Sequence, residues 1–424
     1  MKKLIKNEYL FSVITKIIMV FIAFFHSIVI ARFLGPDLKG THATIYSIIS
    51  IGAILINMCC YQAYPYYRKK YGYSNYHDKF MCFLVIYHVI FIIIAIIISA
   101  CVYNFNRITS FSIMLIPIDG FTTALGYICL VEHPKSRNLV LMFVDLFDTL
   151  FVTLLLFVAK ANEIFVFLIF LIPFLLKICY FMYKERFKIT KYSIDKNFLY
   201  EIFKFSFFPM ISMLLTILNY KIDILMLKSN NTISMSQIGI YSIGVALADK
   251  VVYIPDAVKE ILLSKLAKGK GKNEVAMTMR FCFPTSLSFT VLLILVGEKF
   301  IDFIYGSEYT GAYMVTLICV LGTSMMVFFK MISQYNNVNG KQIVNVYLLL
   351  GTVISNIILN IIMIPKFNII GAAVASLISY MICAIAFIVY FNKITNIPIR
   401  DMVFPTKDDF KQILKIAKKE KENE

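Results

Sequence analysis

The sequence predicts an all-α integral membrane protein of about twelve transmembrane helices. Composition is the first reason. Of the 424 residues, 59% are hydrophobic and 16% charged, and the mean hydropathy is +0.77. A soluble domain carries about 45–50% apolar and about 25% charged residues. Spacing is the second. The apolar residues fall in runs of about 20 with short breaks, the length that crosses about 30 Å of hydrocarbon as a helix. Lipid offers the backbone no hydrogen-bond partners, so repeated runs of this kind imply a helix bundle. The third is charge placement, which alternates from one connection to the next.

The spans read, in order, as 11–31, 41–63, 80–103, 111–131, 139–159, 163–183, 201–228, 237–263, 281–302, 311–334, 343–364 and 370–391. The first is too long for the apolar region of a cleavable signal, and no small-residue cleavage site follows it, so it counts as span 1. The connections after spans 1, 3, 5, 7, 9 and 11 are short, and the others are longer and basic. One side of the membrane collects 28 Lys and Arg and the other 7. The positive-inside rule then places both termini in the cytoplasm, with the expected location a bacterial inner membrane. Anionic headgroups account for the net charge of +17, because each Lys or Arg near such a surface gains about 1 kcal/mol. Nucleic acid is not an expected partner; membrane lipids are. The nine cysteines lie in or beside apolar runs without a histidine at ligand spacing, so they read as packing residues and no metal is expected.

Three segments organise the chain: a six-span N-terminal bundle over 1–200, a six-span C-terminal bundle over 201–392, and a cytoplasmic amphipathic tail over 393–424. In the tail, Phe410, Ile413, Leu414 and Ala417 recur at helical spacing, with Asp408 and Asp409 before them and lysines after, as the helix dipole favours. The halves share a weak repeat. Span 1 ends IVIARFLGPDLKG and span 2 opens GTHATIYSII; span 7 ends YKIDILMLK and span 8 opens IGIYSIGVA. Internal repeats of this sort are common in transporters.

The stretch Ala31-Arg32-Phe33-Leu34-Gly35-Pro36, with Gly40 and Ala43, resembles the start of the polysaccharide-biosynthesis flippases (O-antigen, Wzx-type). These belong to the superfamily that also holds the MATE exporters and the lipid II flippases. Lys221-Ile222-Asp223 with Met226-Leu227 resembles the family's span 7, and Gly239-x-Tyr241 with Pro255 and Leu262 its span 8. Gly371-Ala372-Ala373-x-Ala375 resembles the start of the last span. The resemblance covers essentially the whole chain. It implies two six-helix bundles around a central cavity, and a substrate built on undecaprenyl pyrophosphate that moves from the inner to the outer leaflet. Lipid II flippases have a span 1 arginine that helps hold the pyrophosphate, and counting back from the motif glycine places it at His26. A neutral histidine holds a diphosphate less well than a bidentate guanidinium, which favours the O-antigen or capsule type.

Charges inside spans are costly and are functional candidates. Here they include Lys16, Asp119, Asp145, Asp148, Lys177, Lys204, Lys221, Asp223, Asp249, Lys250, Lys259, Glu260 and Lys330, with His26 and His88. A lipid-linked diphosphate needs cations to replace its water shell as it crosses hydrocarbon. The expected substrate-binding residues are Lys16, His26, Arg32, Lys221, Lys250 and Lys330. Against each stands a structural ion pair or a lysine snorkelling to the headgroups. Asp145 and Asp148, three residues apart on one helix face, can raise one another's pKa and so suit coupling to a proton or sodium gradient. With Asp223 and Asp249 they form the expected ion-coupling set, unless each merely pairs with a lysine. No cofactor is expected.

Other activities fit less well. The nearest approach to a Walker A loop, Ala267 to Lys272, lacks the first glycine at the right spacing and a Ser or Thr after Gly-Lys. The short outer connections cannot build the catalytic loop of a membrane polymerase, so no enzyme is expected. A cation-coupled multidrug antiporter should favour acidic cavity residues, whereas lysines are prominent here. The expected partners are a lipid-linked oligosaccharide and other polysaccharide-assembly proteins.

Overall fold

The computed structural model describes residues 8–71, 73–185, 195–267 and 271–404. The tail helix expected over 406–424 lies outside the described residues, as do the side chains of Lys16 and Glu260. Among the described residues the fold is all-α. The helices are α1 (Glu8–Asn57), α2 (Tyr64–Tyr71), α3 (Tyr73–Val102), α4 (Arg107–Glu132), α5 (Pro134–Val158), α6 (Glu163–Lys184) and α7 (Lys196–Ser229). They continue with α8 (Met235–Lys250), α9 (Tyr253–Ala267), α10 (Lys272–Tyr305), α11 (Ala312–Val338), α12 (Gln342–Thr395) and the one-turn α13 (Arg400–Val403).

Eight of these helices are long and apolar enough to cross a membrane. Two of the eight, α1 and α12, run for 50 and 54 residues. At 1.5 Å per residue each would be about twice the thickness of a bilayer core. Both are broken where the sequence allows it. Gly35 in α1 takes φ 66°, ψ 173°, a conformation that costs glycine little, and Pro36 restarts the helix at a position that needs no N–H. Asn368 in α12 takes φ 52°, ψ −133°, and asparagine tolerates positive φ better than most residues. Each long helix therefore holds two of the expected spans. The eight helices supply ten of the twelve, and α10 and the pair α8 and α9 stand where spans 9 and 8 were expected.

Two boundaries differ from expectation. Span 2 stops at Asn57 rather than at 63. Met58 and Cys59 turn the chain with φ 45° and 51°, and a 3₁₀ turn over Cys60–Ala63 leads into the separate helix α2. Span 8 is interrupted. The helix α8 ends at Lys250, Val251 and Val252 form a turn, and α9 starts at Tyr253 with Pro255 in its first turn. Proline is tolerated there because the first-turn N–H groups have no intrahelical partner.

The chain folds as two compact units. One comprises residues 1–240 with 304–308, the other 241–303 with 309–424. The first has two apolar layers. One gathers Ile30, Phe33, Ile45, Leu115, Val152 and Ile169. The other gathers Tyr64, Phe80, Leu84, Leu125, Val144 and Phe181. The beginning of α8 packs into this unit by backbone contact with α1. An added Cβ on Gly40 would meet the Met235 carbonyl oxygen at 1.9 Å, and one on Gly239 would meet the Pro36 oxygen at 2.0 Å. Gly40 and Gly239 are the two glycines that open the repeated helix starts.

In the second unit α11 packs along α12 and carboxamides join them. Asn336 Nδ2 donates to Asn345 Oδ1 at 2.7 Å. Within α12, Asn356 Nδ2 donates across the break to the Ser379 hydroxyl at 3.0 Å, and one turn on Asn360 donates to Asn356 Oδ1 at 2.9 Å. Lipid gives no hydrophobic drive for helix association, so polar bonds of this kind, each about 1 kcal/mol, help hold the helices together.

Candidate functional site

Four helices of the first unit carry ionisable side chains at one depth. In α5, Asp145 and Asp148 fall between Val144 of one apolar layer and Val152 of the other. In α4, Asp119 falls between Leu115 and Phe121, and in α6, Lys177 falls between Phe170 and Phe181. His26 lies one turn before Ile30 in α1. These positions lie inside their spans, away from the basic connections.

The layer is internally matched. Lys177 Nζ donates to Asp145 Oδ1 at 3.0 Å, with the lysine side chain only 16% exposed. The charge of Lys177 also reaches Asp119 and Asp148. His26 Nε2 lies 3.2 Å from Asp148 Oδ2, with side-chain exposures of 24% and 7%. Lys39 and His42 join from the second part of α1. Lys39 is buried, its Nζ 3.5 Å from His42 Nδ1, and the His42 ring stacks on Phe170 at 4.5 Å between centroids.

The hydrogen bonds around His26 favour a proton between it and Asp148. The Thr149 hydroxyl donates its single hydrogen to the Asp145 carbonyl at 2.7 Å. It can therefore only accept from His26 Nδ1, which lies 3.2 Å away. The other ring nitrogen faces Asp148, and a bare nitrogen opposite a bare carboxylate would repel. One proton is thus shared between His26 and Asp148. The second oxygen of Asp148, Oδ1, is buried with no hydrogen-bond partner. With neutral histidines, Lys177 faces three carboxylates, so a proton on the pair of His26 and Asp148 reduces the excess negative charge.

The other expected site residues lie elsewhere. In the first unit, Lys221 is half-buried with Nζ 5.0 Å from the centre of the Tyr46 ring, a cation–π contact rather than a snorkel to the headgroups. Asp223, two residues further along α7, is buried. Arg32 is exposed, and its Nε donates to the Ile304 carbonyl at 2.8 Å. It satisfies one of the carbonyls left open at the end of α10, next to the bond between Ser27 and Tyr305 at 3.1 Å.

In the second unit the charges gather at the break between α8 and α9. Lys330 of α11, 12% exposed, donates to both oxygens of Asp256 at 2.8 Å. Lys259 reaches the same carboxylate at 3.3 Å. Lys250 Nζ donates to Tyr253 Oη at 3.0 Å, and Asp249 is half-buried beside it. Lys330→Met is expected to lower stability by about 1–2 kcal/mol, because Asp256 keeps Lys259 and partial contact with solvent. A thermal melt of the purified protein checks this.

The structure therefore brings His26, Asp145 and Asp148 together, and joins to them Lys177. It sets Lys221 against Tyr46, whose ring stacks on Phe170 as His42 does, puts Arg32 at the end of α10, and holds Lys250, Lys330 and Asp249 in the other unit. Sequence reasoning missed Lys39 and His42. By sequence Lys39 falls in an outer connection, but α1 resumes at Pro36, so Lys39 stands one turn inside a helix and i, i+3 from His42. The proline after Gly35 was the available signal.

No protein-family model matches this chain, and no curated protein matches it by sequence. Its fold does match solved structures. The lipid II flippase MurJ in an inward closed conformation superposes with a TM-score of 0.69 at 17% identity, covering 92% of this chain and 89% of that one. An inward-facing multidrug resistance MATE family transporter of the MOP superfamily gives 0.67 at 11% identity, covering 90% and 94%. A mutant of the Vibrio cholerae MATE transporter VcmN gives 0.57 at 13%, covering 91% and 94%. The chain has the fold of MOP-superfamily transporters.

Proposed function

We propose that this chain is a flippase that carries a polyprenyl-diphosphate-linked oligosaccharide, of O-antigen or capsule type, from the cytoplasmic to the outer leaflet of a bacterial inner membrane. It works by alternating access and draws on a proton gradient. The observation that supports this reading best is the charge layer of the first unit. Lys177 and Lys39 are largely buried within the first unit, and a proton between His26 and Asp148 reduces the excess negative charge around them. Lys221, Lys250 and Lys330 add cations that suit a diphosphate, whose charge must be compensated throughout its passage. The likeness to MurJ, a lipid II flippase by name, supports a lipid-linked substrate. Asp148 is the residue through which a proton would be coupled: losing it makes Asp148 an unpaired buried anion, and the layer then favours a different arrangement.

Deletion of the gene in its own host tests the reading. The expected result is loss of surface polysaccharide with accumulation of completed lipid-linked units inside the cell. Unchanged polysaccharide with new sensitivity to cationic drugs would replace this reading with that of a multidrug antiporter of the same fold.

A further inference from the structure

A second polar network lies at the cytoplasm-facing ends of α3, α4 and α6, where α2 covers them. Tyr64 of α2 is fully buried. Its hydroxyl donates to Glu132 Oε1 at 2.7 Å, and Arg68 holds the same carboxylate, with Nη2 2.7 Å from Oε2 and Nε on Oε1. The Tyr64 hydrogen being committed to Glu132, its oxygen accepts from His77 Nδ1 at 2.8 Å. The remaining ring nitrogen, Nε2, points at Glu185 Oε2, 3.6 Å away, and the Glu185 side chain is completely enclosed. Apart from the Cys129 thiol, neither oxygen of Glu185 has a hydrogen-bond partner.

The arithmetic is that of His26 and Asp148. Arg68 neutralises Glu132. His77 and Glu185 are then neutral together only with one proton on the carboxyl or on Nε2. If that proton leaves to water, Glu185 becomes an enclosed anion facing a neutral imidazole and the Glu132 carboxylate. The other charged or ionisable groups near the pair do not replace it. Asp78 of α3 is acidic, the Cys129 thiol of α4 touches Glu185, Arg137 of α5 stands beyond Cys129, and Lys184 lies next to Glu185 on α6. An enclosed unpaired carboxylate is relieved by moving into water, and the short helix α2 is what covers it.

The helix α2 also ties down the start of α7. Tyr67 Oη donates to the Glu201 carbonyl at 3.2 Å, and Tyr71 Oη and Lys70 reach the Glu201 carboxylate at 2.9 and 3.4 Å. Whatever lifts α2 frees the cytoplasmic end of α7, which opens the second six-span segment.

We propose that His77 and Glu185 form a proton-operated latch on the cytoplasmic face: with one proton between them α2 is clamped over the network, and loss of that proton releases α2 and with it the start of α7. The proton goes to cytosolic water and no bond other than O–H or N–H changes. Burial, and after it the Glu132 carboxylate, raise Glu185 from the ordinary carboxyl value to about 7, so the latch works around neutral pH. The sign follows. The folded protein holds this proton to higher pH than the unfolded chain does. The contribution of Glu185 to stability is therefore full below about 4.5, falls as pH rises to about 7 and is constant above.

Hydrogen exchange read by mass spectrometry, on the full chain in lipid nanodiscs and corrected for intrinsic rates, tests the latch. Peptides covering 58–71 should lose protection above neutral pH, by up to about tenfold per pH unit. Glu185→Gln, which mimics the protonated carboxyl, should hold the protection seen at pH 6 up to pH 8.5. Glu201→Gln, at a half-buried carboxylate of the same contact, should keep the wild-type response to pH. Equal corrected protection of the wild type at pH 6 and 8.5 would overturn the proposal without any variant. So would a Glu185→Gln protein that responds to pH as the wild type does.

Discussion

Gly40→Ala and Gly239→Ala should each destabilise the protein by about 1–3 kcal/mol, the usual cost of overpacking, and should impair transport more than any lipid-facing substitution. The reason is geometric. The new Cβ would meet a carbonyl oxygen at 1.9 or 2.0 Å, well inside van der Waals contact. The obstacle is backbone on both sides, so no side chain can rotate away. Close approach of this kind is what small residues provide where membrane helices meet. A double substitution should be less than additive, because either methyl alone already separates the helices. Gly351→Ala, at a helical position with nothing within 4 Å of the added carbon, should be neutral or slightly stabilising through helix propensity. Melting temperatures of the purified variants in one detergent, beside wild type, decide the matter.

Asp148→Asn should leave the protein as stable as before, or more stable by up to about 1 kcal/mol, while lowering transport by roughly 5–150-fold. That range corresponds to the usual coupling free energy between two sites, and the combination of lost activity with retained stability marks a residue kept for function. An amide can donate to His26 Nε2 without carrying a titratable proton, so packing at 3.2 Å survives and proton release does not. Transport by the variant should no longer depend on the pH gradient. Lys177→Ala should behave differently. It removes the partner of Asp145 from a mostly buried site, and should lower stability by about 1–3 kcal/mol together with activity. Melting curves and transport rates for both variants separate a coupling role from a structural ion pair.

The bundle was legible in the sequence because lipid imposes a strict length on every span. Each expected span has a helical counterpart, and the short connections at Gly35 and Asn368 proved so tight that helices run on through them. Less legible was anything set by contacts between distant segments. Asp145 and Asp148 were recognised as a pair on one face, yet spacing alone gave no sign that one would meet Lys177 and the other His26. Lys39 looked like a loop cation because its position depends on the helix restarting at Pro36. Arg32, read as a candidate for substrate, is occupied by the Ile304 carbonyl. The break in span 8 had one local cue, Pro255, beside the charges Asp249 and Lys250. Tyr64 and His77 come from one connection, Glu132 and Glu185 from two others, and their network exists only in three dimensions.

Purified protein in vesicles, given a short-chain polyprenyl-diphosphate sugar in one leaflet and an imposed pH gradient, tests the central claim most directly. Appearance of the sugar in the opposite leaflet, faster with the gradient than without it and lost in Asp148→Asn, is the predicted result. Vesicles in which the lipid-linked sugar stays put while the same protein exchanges organic cations for protons would contradict it.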